Sequence, residues 1–572
     1  MRKQFSVFII FIFTSFYSKA QVPNRFDIEI TEIMADPSPQ VNLPNNEWIE
    51  LHNISGITIN LSGWRIGDAA GQSGPMPAYD LKPDSMVIIC TSSAVAAMAA
   101  YGPVIAVAGF PSLDNGGDIL YLKSPQNKII HAVNYSDAWY GNELKKDGGW
   151  SLEMIDTKNP CSGSTNWKAS TDINGGTPGK KNSVDAMNPD INPPQLLRAF
   201  ATDSLNIVLV FDEPLDSLKA VNAANYNVSD GIGAPQSVIA IPPYFNRVNL
   251  QLKVALLRNK IYTATVLGIT DCTGNIVAGK NSTKAGLSEI AHELDIVINE
   301  ILFNPKPNGV DYVEIYNRSN VIIDLKQMYI ANRSSLGVVS NIKLLSAENY
   351  LLFPQDFIVI TEDPAIVKRD FITKNMDAFI TVAAMPSYND DKGDVIVLNV
   401  QGNIIDELQY DEKWHFKLIE NNEGVALERI DYNAPTQRSD NWHSAATSVG
   451  YGTPTYKNSQ YKINDSLQGT LTVSPAIVSP DNDGVDDFVT VNYTFPAAGY
   501  VANIIIFDAA GRPVRYLQRN ALCGTSGNYR WDGLGEKDQK LPVGIYIVYA
   551  DVFNLEGKRK QFKNAVVLAR KN

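Results

Sequence analysis

Asp481, Asp483, Asp486 and Asp487 fall within seven residues, with Gly484 among them. Carboxylates this close repel one another. A hard divalent cation, which takes roughly six to eight oxygen ligands, would relieve that repulsion. The run Asp481-Asn482-Asp483-Gly484 follows part of the Asp-x-Asp-x-Asp-Gly calcium loop, where the glycine makes the sharp turn. It has no glutamate at the twelfth position. Two readings stay open: a structural calcium site, and an acidic turn that water solvates. Neither is catalytic.

A second set of carboxylates recurs. Glu32 and Glu50 return later in the chain as Glu300 and Glu314. Paired acids can serve as acid and base in glycoside hydrolysis. These lie in or beside strand-like runs with bulky neighbours, where a carboxylate ordinarily accepts hydrogen bonds that fix register. Nothing in the sequence marks a raised pKa, so no catalytic role is expected of them. Trp64, Trp150, Trp167, Trp414 and Trp442 could stack on sugars, but Trp167 and Trp442 sit at matched positions and are expected in the core. Trp139 and Trp414 have loop-like contexts and are the surface candidates. The five histidines, His52, His131, His292, His415 and His443, form no His-Glu-x-x-His pair. There is no Gly-x-Ser-x-Gly elbow and no phosphate-binding glycine loop. The chain therefore reads as a non-enzyme.

These groups need elements to carry them. Across 572 residues, 44% hydrophobic and 19% charged, several domains can each bury a core. A net charge of −12 disfavours binding to nucleic-acid phosphates. Arg2 and Lys3, the apolar run 5–16 and Ser18-Lys19-Ala20 read as a signal peptide over residues 1–20, cut before Gln21. That run is too short for a membrane-spanning helix, which needs about 20 residues, and no later segment approaches that length. Export permits disulfides. Cys90, Cys161, Cys272 and Cys523 form no Cys-x-x-Cys pair. Cys161 and Cys272 lie in polar turns and could bridge. Four free thiols fit the spacing equally well.

The chain repeats itself. Ile30-Thr31-Glu32-Ile33-Met34-Ala35-Asp36-Pro37 matches Ile298-Asn299-Glu300-Ile301-Leu302-Phe303-Asn304-Pro305. Trp48-Ile49-Glu50-Leu51-His52-Asn53 matches Tyr312-Val313-Glu314-Ile315-Tyr316-Asn317. Leu152-Glu153, Asn166-Trp167 and Gly176-Thr177-Pro178 return as Leu427-Glu428, Asn441-Trp442 and Gly452-Thr453-Pro454. The order holds at an offset of 264–276 residues, which marks a duplicated domain. Within each copy, short β-branched and aromatic runs are bounded by Asn, Asp, Gly and Pro, the pattern of a many-stranded sandwich. The one helix candidate is the short, Ala-rich 92–101.

The Ile-x-Glu-Ile-x-x-(Asp/Asn)-Pro opening, the Trp48-Ile49-Glu50-Leu51 strand and the Gly-Thr-Pro close resemble the bacterial lamin-tail domain, which implies an immunoglobulin-like β-sandwich. Copy two departs at Gln327-Met328, where copy one has Gly63-Trp64. Between the copies, Phe211-Asp212-Glu213-Pro214, Asn225-Tyr226 and Asp271-Cys272-Thr273-Gly274-Asn275 resemble the surface-layer type of bacterial immunoglobulin-like domain, a spacer. Val248, Leu250, Leu252 and Val254 alternate with polar residues there, a half-buried strand. The C-terminal segment carries the acidic loop, then 504–507, a turn over 508–512, Trp531-Asp532-Gly533 and Gly544-Ile545-Tyr546. It resembles the flagellar hook-capping and gliding-motility immunoglobulin-like modules. The latter resemblance implies type IX secretion and surface attachment.

The expectation is an all-β chain of four β-sandwich (immunoglobulin-like) domains in series. A lamin-tail domain spans 21–184, a bacterial immunoglobulin-like domain 190–290, a second lamin-tail domain 293–460 and a C-terminal module 466–572. The function expected is a secreted or cell-surface, non-catalytic structural or binding protein. Its partner would be a protein or glycan at the cell surface, and its export would use the type IX machinery. The alternative is a carbohydrate-binding component of an extracellular degradation system. Structural calcium, held by Asp481, Asp483, Asp486 and Asp487, is the one cofactor considered.

Overall fold

The computed structural model describes residues 23–461, 469–555 and 558–570. The signal-peptide reading of 1–20 lies outside them. The chain is all-β. The longest α-helix among the described residues is Pro364–Asp370, and the 92–101 candidate supplies only the four-residue helix Val95–Met98. No helix among the described residues is long and apolar enough to cross a membrane.

The two copies fold alike. In the first, one sheet runs in the order Trp167–Ala169, Leu152–Met154, Ile28–Met34, Trp48–Asn53, Met86–Cys90, Val104–Ala106. A second sheet of Arg65–Gly67, Gly117–Lys123 and Ile129–Ser136 shares a core with it, built on Ile30, Ile33, Leu51, Ile89, Leu120 and Trp167. In the second copy, Trp442–Ser444, Leu427–Arg429, Ile296–Leu302, Tyr312–Asn317, Phe357–Thr361 and Phe379–Thr381 repeat that order. At the sequence departure, Asp324 caps the 3-10 turn Leu325–Gln327, and Met328 joins the core as Trp64 does in the first copy.

A β-bulge sits at the same place in both copies, between Ile30 and Glu32 and between Ile298 and Glu300. One extra residue in a strand resets which face its neighbours occupy. The bulge keeps Ile28, Ile30 and Ile33 in the sandwich core, while Glu29, Glu32 and Met34 turn to the opposite face. That opposite face is covered too, and all seven residues of each strand are buried. A carboxyl on such a strand costs stability unless something over the sheet offers it hydrogen bonds.

The chain divides into two compact units: Met1–Ala199 with Leu205–Ala255 and Thr263–Lys284, and Phe200–Ser204 with Leu256–Tyr262 and Ala285–Asn572. The first contains the first copy and most of the middle segment. There, Asn206–Phe211 and Ser237–Ile241 flank Arg247–Gln251 in an antiparallel sheet whose Val248 and Leu250 are buried, as their alternation requires; the strand ends at Gln251, so of the expected set Leu252 is buried beyond it and Val254 is exposed. Within this unit Cys161 and Cys272 are disulfide-bonded, which decides between the two cysteine readings, and Cys90 is free and buried, as Cys523 is in the second unit. Arg25 donates to the Leu215 carbonyl (2.8 Å) and lies 4.6 Å from the ring centres of both Phe26 and Phe245.

The second unit contains the second copy and the C-terminal segment. In that segment, Thr470–Ser474, Val489–Thr494 and Ser526–Trp531 form one sheet. A second sheet runs Ile477–Val478, Arg559–Leu568, Gly544–Asn554, Tyr500–Asp508, Pro513–Leu522. The two enclose a core that includes Val491, Ile504, Trp531 and Val548. Within this unit the Gln460 side chain donates to the Ser444 and Cys523 carbonyls, and the Thr525 amide donates to the Ser459 carbonyl at 2.8 Å.

Candidate functional site

Three glutamates stand abreast on the outer face of each six-stranded sheet. Pairing places Glu50, Glu32 and Glu153 side by side across three strands in the first copy, and Glu314, Glu300 and Glu428 in the second. All six are fully buried. A strap of chain that follows the last sheet strand closes over them. In the first copy the Thr177 amide donates to Glu32 (2.7 Å), the Thr177 hydroxyl to Glu153 (2.9 Å), and the Gly179 amide to Glu50 (2.7 Å). The Ser183 hydroxyl and Val184 amide both donate to Glu153. In the second copy Thr453, Thr455, Ser459 and Gln460 make the same bonds to Glu300, Glu314 and Glu428. Asn182 and its counterpart Asn458 pin the strap to the sheet by donating to two strand carbonyls each.

The acidity of this layer corrects the sequence expectation. Burial first, and the neighbouring carboxylates second, raise Glu32 well above the usual carboxylate range. Burial pushes Glu50 and Glu300 each up to about 8 and raises Glu314 and Glu428 as well. Each layer therefore holds protons at neutral pH, which lets three carboxyls share one site. The raised pKa has no catalytic consequence because no substrate reaches a fully covered carboxyl. The strap bonds agree with the expected register-fixing role. Sequence reasoning missed the third acid of each layer, Glu153 and Glu428, and missed the strap. The Leu-Glu and Gly-Thr-Pro matches between copies carried both.

Glu29 lies on the same strand, in register with His52. It is fully buried, neither carboxyl oxygen has a hydrogen-bond partner among the described residues, and burial raises its pKa well above the normal value. The equivalent residue in the second copy is Val297. The variant Glu29→Val is expected to be more stable than the natural chain by about 1–3 kcal/mol. The folded chain binds this proton more tightly than the unfolded one. The natural chain is thus most favoured below the unfolded pKa near 4.5 and loses stability as pH rises towards the folded value. The advantage of the variant should grow from pH 4 to pH 8 in parallel melts, and a constant or shrinking gap would contradict the burial assignment.

Among the described residues, two groups of acids have the spacing of a cation site. Asp481, Asp483 and Asp487 bring carboxylate oxygens within 4.8 Å of one another, and Asp486 is not part of the group. The Asp487 carboxylate also accepts from the amides of Asp481, Asn482 and Gly484, so the loop is closed by its own acids. Asp190, Glu213 and Asp271 form the second group. Asp271 is buried and accepts from Thr273, Gly274 and Asn275. Burial, with Asp190 next in weight, pushes Glu213 up to about 8. These acids come from three separated segments, and the sequence reading saw only a turn at Asp271.

The tryptophans, and His131, His415 and His443, pack into the fold. None of the eight tryptophans is exposed. Trp64, Trp167 and Trp442 are core residues, as expected for the matched pair, and the Trp442 indole donates to the Thr436 carbonyl. Trp139 and Trp414, the surface candidates, instead pack half-buried against the two cores, Trp139 with its ring centre 6.2 Å from that of Trp167. Trp150 is half-buried under Lys145, whose ammonium lies 4.2 Å from its ring centre. His131 accepts the Ile30 amide (2.9 Å), His415 bonds the Ser444 hydroxyl, and burial pushes both down to about 4. Burial also lowers His443. His52 sits 3.1 Å from Asp84, and His292 is exposed.

Two repeated sandwiches, each with a sealed acid layer, thus define the architecture of the chain. Residues 21–137 and 291–412 each match the family model of the Lamin Tail Domain. The third glutamate and the strap of each copy lie beyond the matched segments. No curated protein matches the sequence. Among solved structures, the N-terminal part of the bacterial S-layer protein SbsC is 16% identical, with a TM-score of 0.16. It covers 28% of this chain and 44% of its own, so the match spans less than half of that protein. A DUF4876 family protein from Bacteroides thetaiotaomicron VPI-5482 is 11% identical over 42% of this chain and 96% of that one, with a TM-score of 0.19. Dimeric latent PorU from Porphyromonas gingivalis is 9% identical over 71% of this chain and 35% of that one, with a TM-score of 0.15.

Proposed function

We propose that this chain is an exported, non-catalytic scaffold: four immunoglobulin-like sandwiches in series that space and present binding faces outside the cell. The observation that carries this reading is the sealing of its most reactive-looking groups. Six fully buried glutamates are spent on holding straps to sheets, and no tryptophan is exposed as a sugar platform. The glycan-binding alternative therefore gains no support from the tryptophans. The C-terminal module, by its resemblance to hook-capping and gliding-motility modules, would serve export or attachment through the type IX route, and residues 1–20 would direct the first export step. Deleting 466–572 is expected to leave the remaining chain inside the envelope, where protease added to whole cells does not reach it. Surface exposure undiminished by the deletion would overturn the sorting role.

The loop of Asp481, Asp483 and Asp487 would bind calcium structurally, as the one cofactor of the scaffold. With a Kd near ~0.1 mM, ~1 mM calcium would stabilise the C-terminal module by about 1.4 kcal/mol. For a module of this size that is a rise in Tm of roughly 5–10 °C. The rise should vanish in Asp483→Asn/Asp487→Asn. A midpoint that calcium does not move, or a shift that survives the double variant, would remove the metal from the account.

A further inference from the structure

The two copies differ sharply at one place on the outer face of the sheet. In the second copy, Tyr316, Phe357, Tyr432 and Tyr461 pack ring on ring, with centroids 4.7 Å apart for Tyr316–Phe357, 4.3 Å for Tyr316–Tyr432 and 4.4 Å for Tyr432–Tyr461. They lie over Val297. The register assigns their counterparts without ambiguity. His52 pairs with Met86 as Tyr316 pairs with Phe357. Thr157 follows Glu153 by four residues as Tyr432 follows Glu428. Asp185 follows Thr177 by eight as Tyr461 follows Thr453. Four large rings are thus replaced by one imidazole, one thioether and two small polar side chains. The strap and sheet that frame them keep the same hydrogen bonds.

The consequence is a groove of about 650 Å3 in the first copy, lined by His52, Met86, Thr157 and Asp185 and walled by Pro103. Its rim carries Lys180, where the second copy has Tyr456, and the Lys181–Asp185 ion pair at 2.7 Å. The backbone around the groove is built to border stacked rings, and the first copy lacks them. We propose that the groove receives a tyrosine side chain from a partner chain, whose ring takes the place of the second copy's aromatic stack. Met86 and Pro103 offer the apolar contacts, and a thioether favours an aromatic ring edge. Lys180 supplies a cation for the ring face. The His52, Asp84 and Lys180 rim leaves the phenol hydroxyl in a polar mouth, the arrangement in which tyrosine gives contact area at low entropy cost. The inference goes beyond the scaffold reading and stands without it, because it depends only on the difference between the copies.

The test titrates the full chain with N-acetyl-tyrosinamide, N-acetyl-leucinamide and maltose, following the Met86 methyl and the His52 ring resonances. The expected result is saturable shifts of both signals by the tyrosine probe, with the leucine probe at least fivefold weaker and maltose without effect. Thr157→Tyr/Asp185→Tyr, which restores two rings of the second copy, should weaken tyrosine binding at least tenfold while keeping or raising Tm. If that variant does not fold, Met86→Phe adds a single ring and should still weaken binding several-fold. The proposal is overturned by equal shifts from leucine and tyrosine, by shifts from maltose alone, by unmoved Met86 and His52 signals, or by tyrosine binding that persists in the ring-filled variants.

Discussion

Glu428→Ala is expected to destabilise the second unit by about 3–5 kcal/mol, and Glu153→Ala to do the same to the first. Glu428 accepts from the hydroxyls of Thr453 and Ser459 and from the Gln460 amide, all buried. Alanine leaves the amide without an acceptor and the hydroxyls without their shared partner, beneath a strap that excludes water. Each orphaned group costs about 1–3 kcal/mol. The loss should spread beyond the sheet, because Ser459 and Gln460 also bond Thr525 and Cys523 of the C-terminal segment. Glu428→Gln separates charge from hydrogen bonding. Its amide oxygen can still accept from Gln460 while the hydroxyls reorient, so a loss of roughly 1–2 kcal/mol is expected. Calorimetry of the whole chain checks both, since only the transition of the second unit should fall. Equal losses for alanine and glutamine would point to charge rather than hydrogen bonding as what the layer needs.

The second large effect concerns the disulfide. Cys161→Ser/Cys272→Ser opens a covalent loop with a sequence separation of 111 residues. In the chain-entropy account, closing such a loop is worth up to about 5 kcal/mol. The bond joins the end of the first copy to the middle segment, which Arg25 also reaches through Leu215 and Phe245. Removing the bond should lower the Tm of the first unit and leave the second unit's transition unmoved. Reducing agent should have the same effect on the natural chain and none on the variant. A first-unit transition indifferent to reduction would show that the Arg25 contacts and the core suffice without the bridge.

Much of the fold was legible because periodicity and repetition are local signals. The Ile-x-Glu-Ile strands, the Trp-Ile-Glu-Leu strands and the order of the two copies all follow from residue types alone, and the structure repeats the six-stranded sheet strand for strand, while the facing sheet of the second copy gains the strand Val339–Leu344. The chemistry was less legible because it depends on what covers a strand. Glu32 and Glu50 read as strand carboxylates of ordinary acidity. The covering strap is a Gly-Thr-Pro segment that looks like a loop, and its burial of the acids is what raises their pKa values. Glu153 was visible as half of a Leu-Glu match, but only strand pairing shows it beside Glu32. Trp139 and Trp414 looked exposed from their polar neighbours, yet both cover core edges. Asp190, Glu213 and Asp271 are brought together from three segments by tertiary folding, which no local pattern announces. The groove of the first copy was present as a substitution pattern, His52 for Tyr316 and Met86 for Phe357. It gained meaning only when the rings of the second copy were seen to stack.

Hydrogen exchange at the strap amides tests most directly whether these acids are fold-holding groups. The amides of Thr177, Gly179 and Val184, and of Thr453, Thr455 and Gln460, all donate to buried glutamates. They should exchange as slowly as the central strand amides of Ile30 and Ile298, through global unfolding alone. Exchange at the pace of an exposed loop, with the strands still protected, would mean that the strap opens in the folded chain and the carboxyls meet solvent, and a sealed structural layer would then be the wrong description.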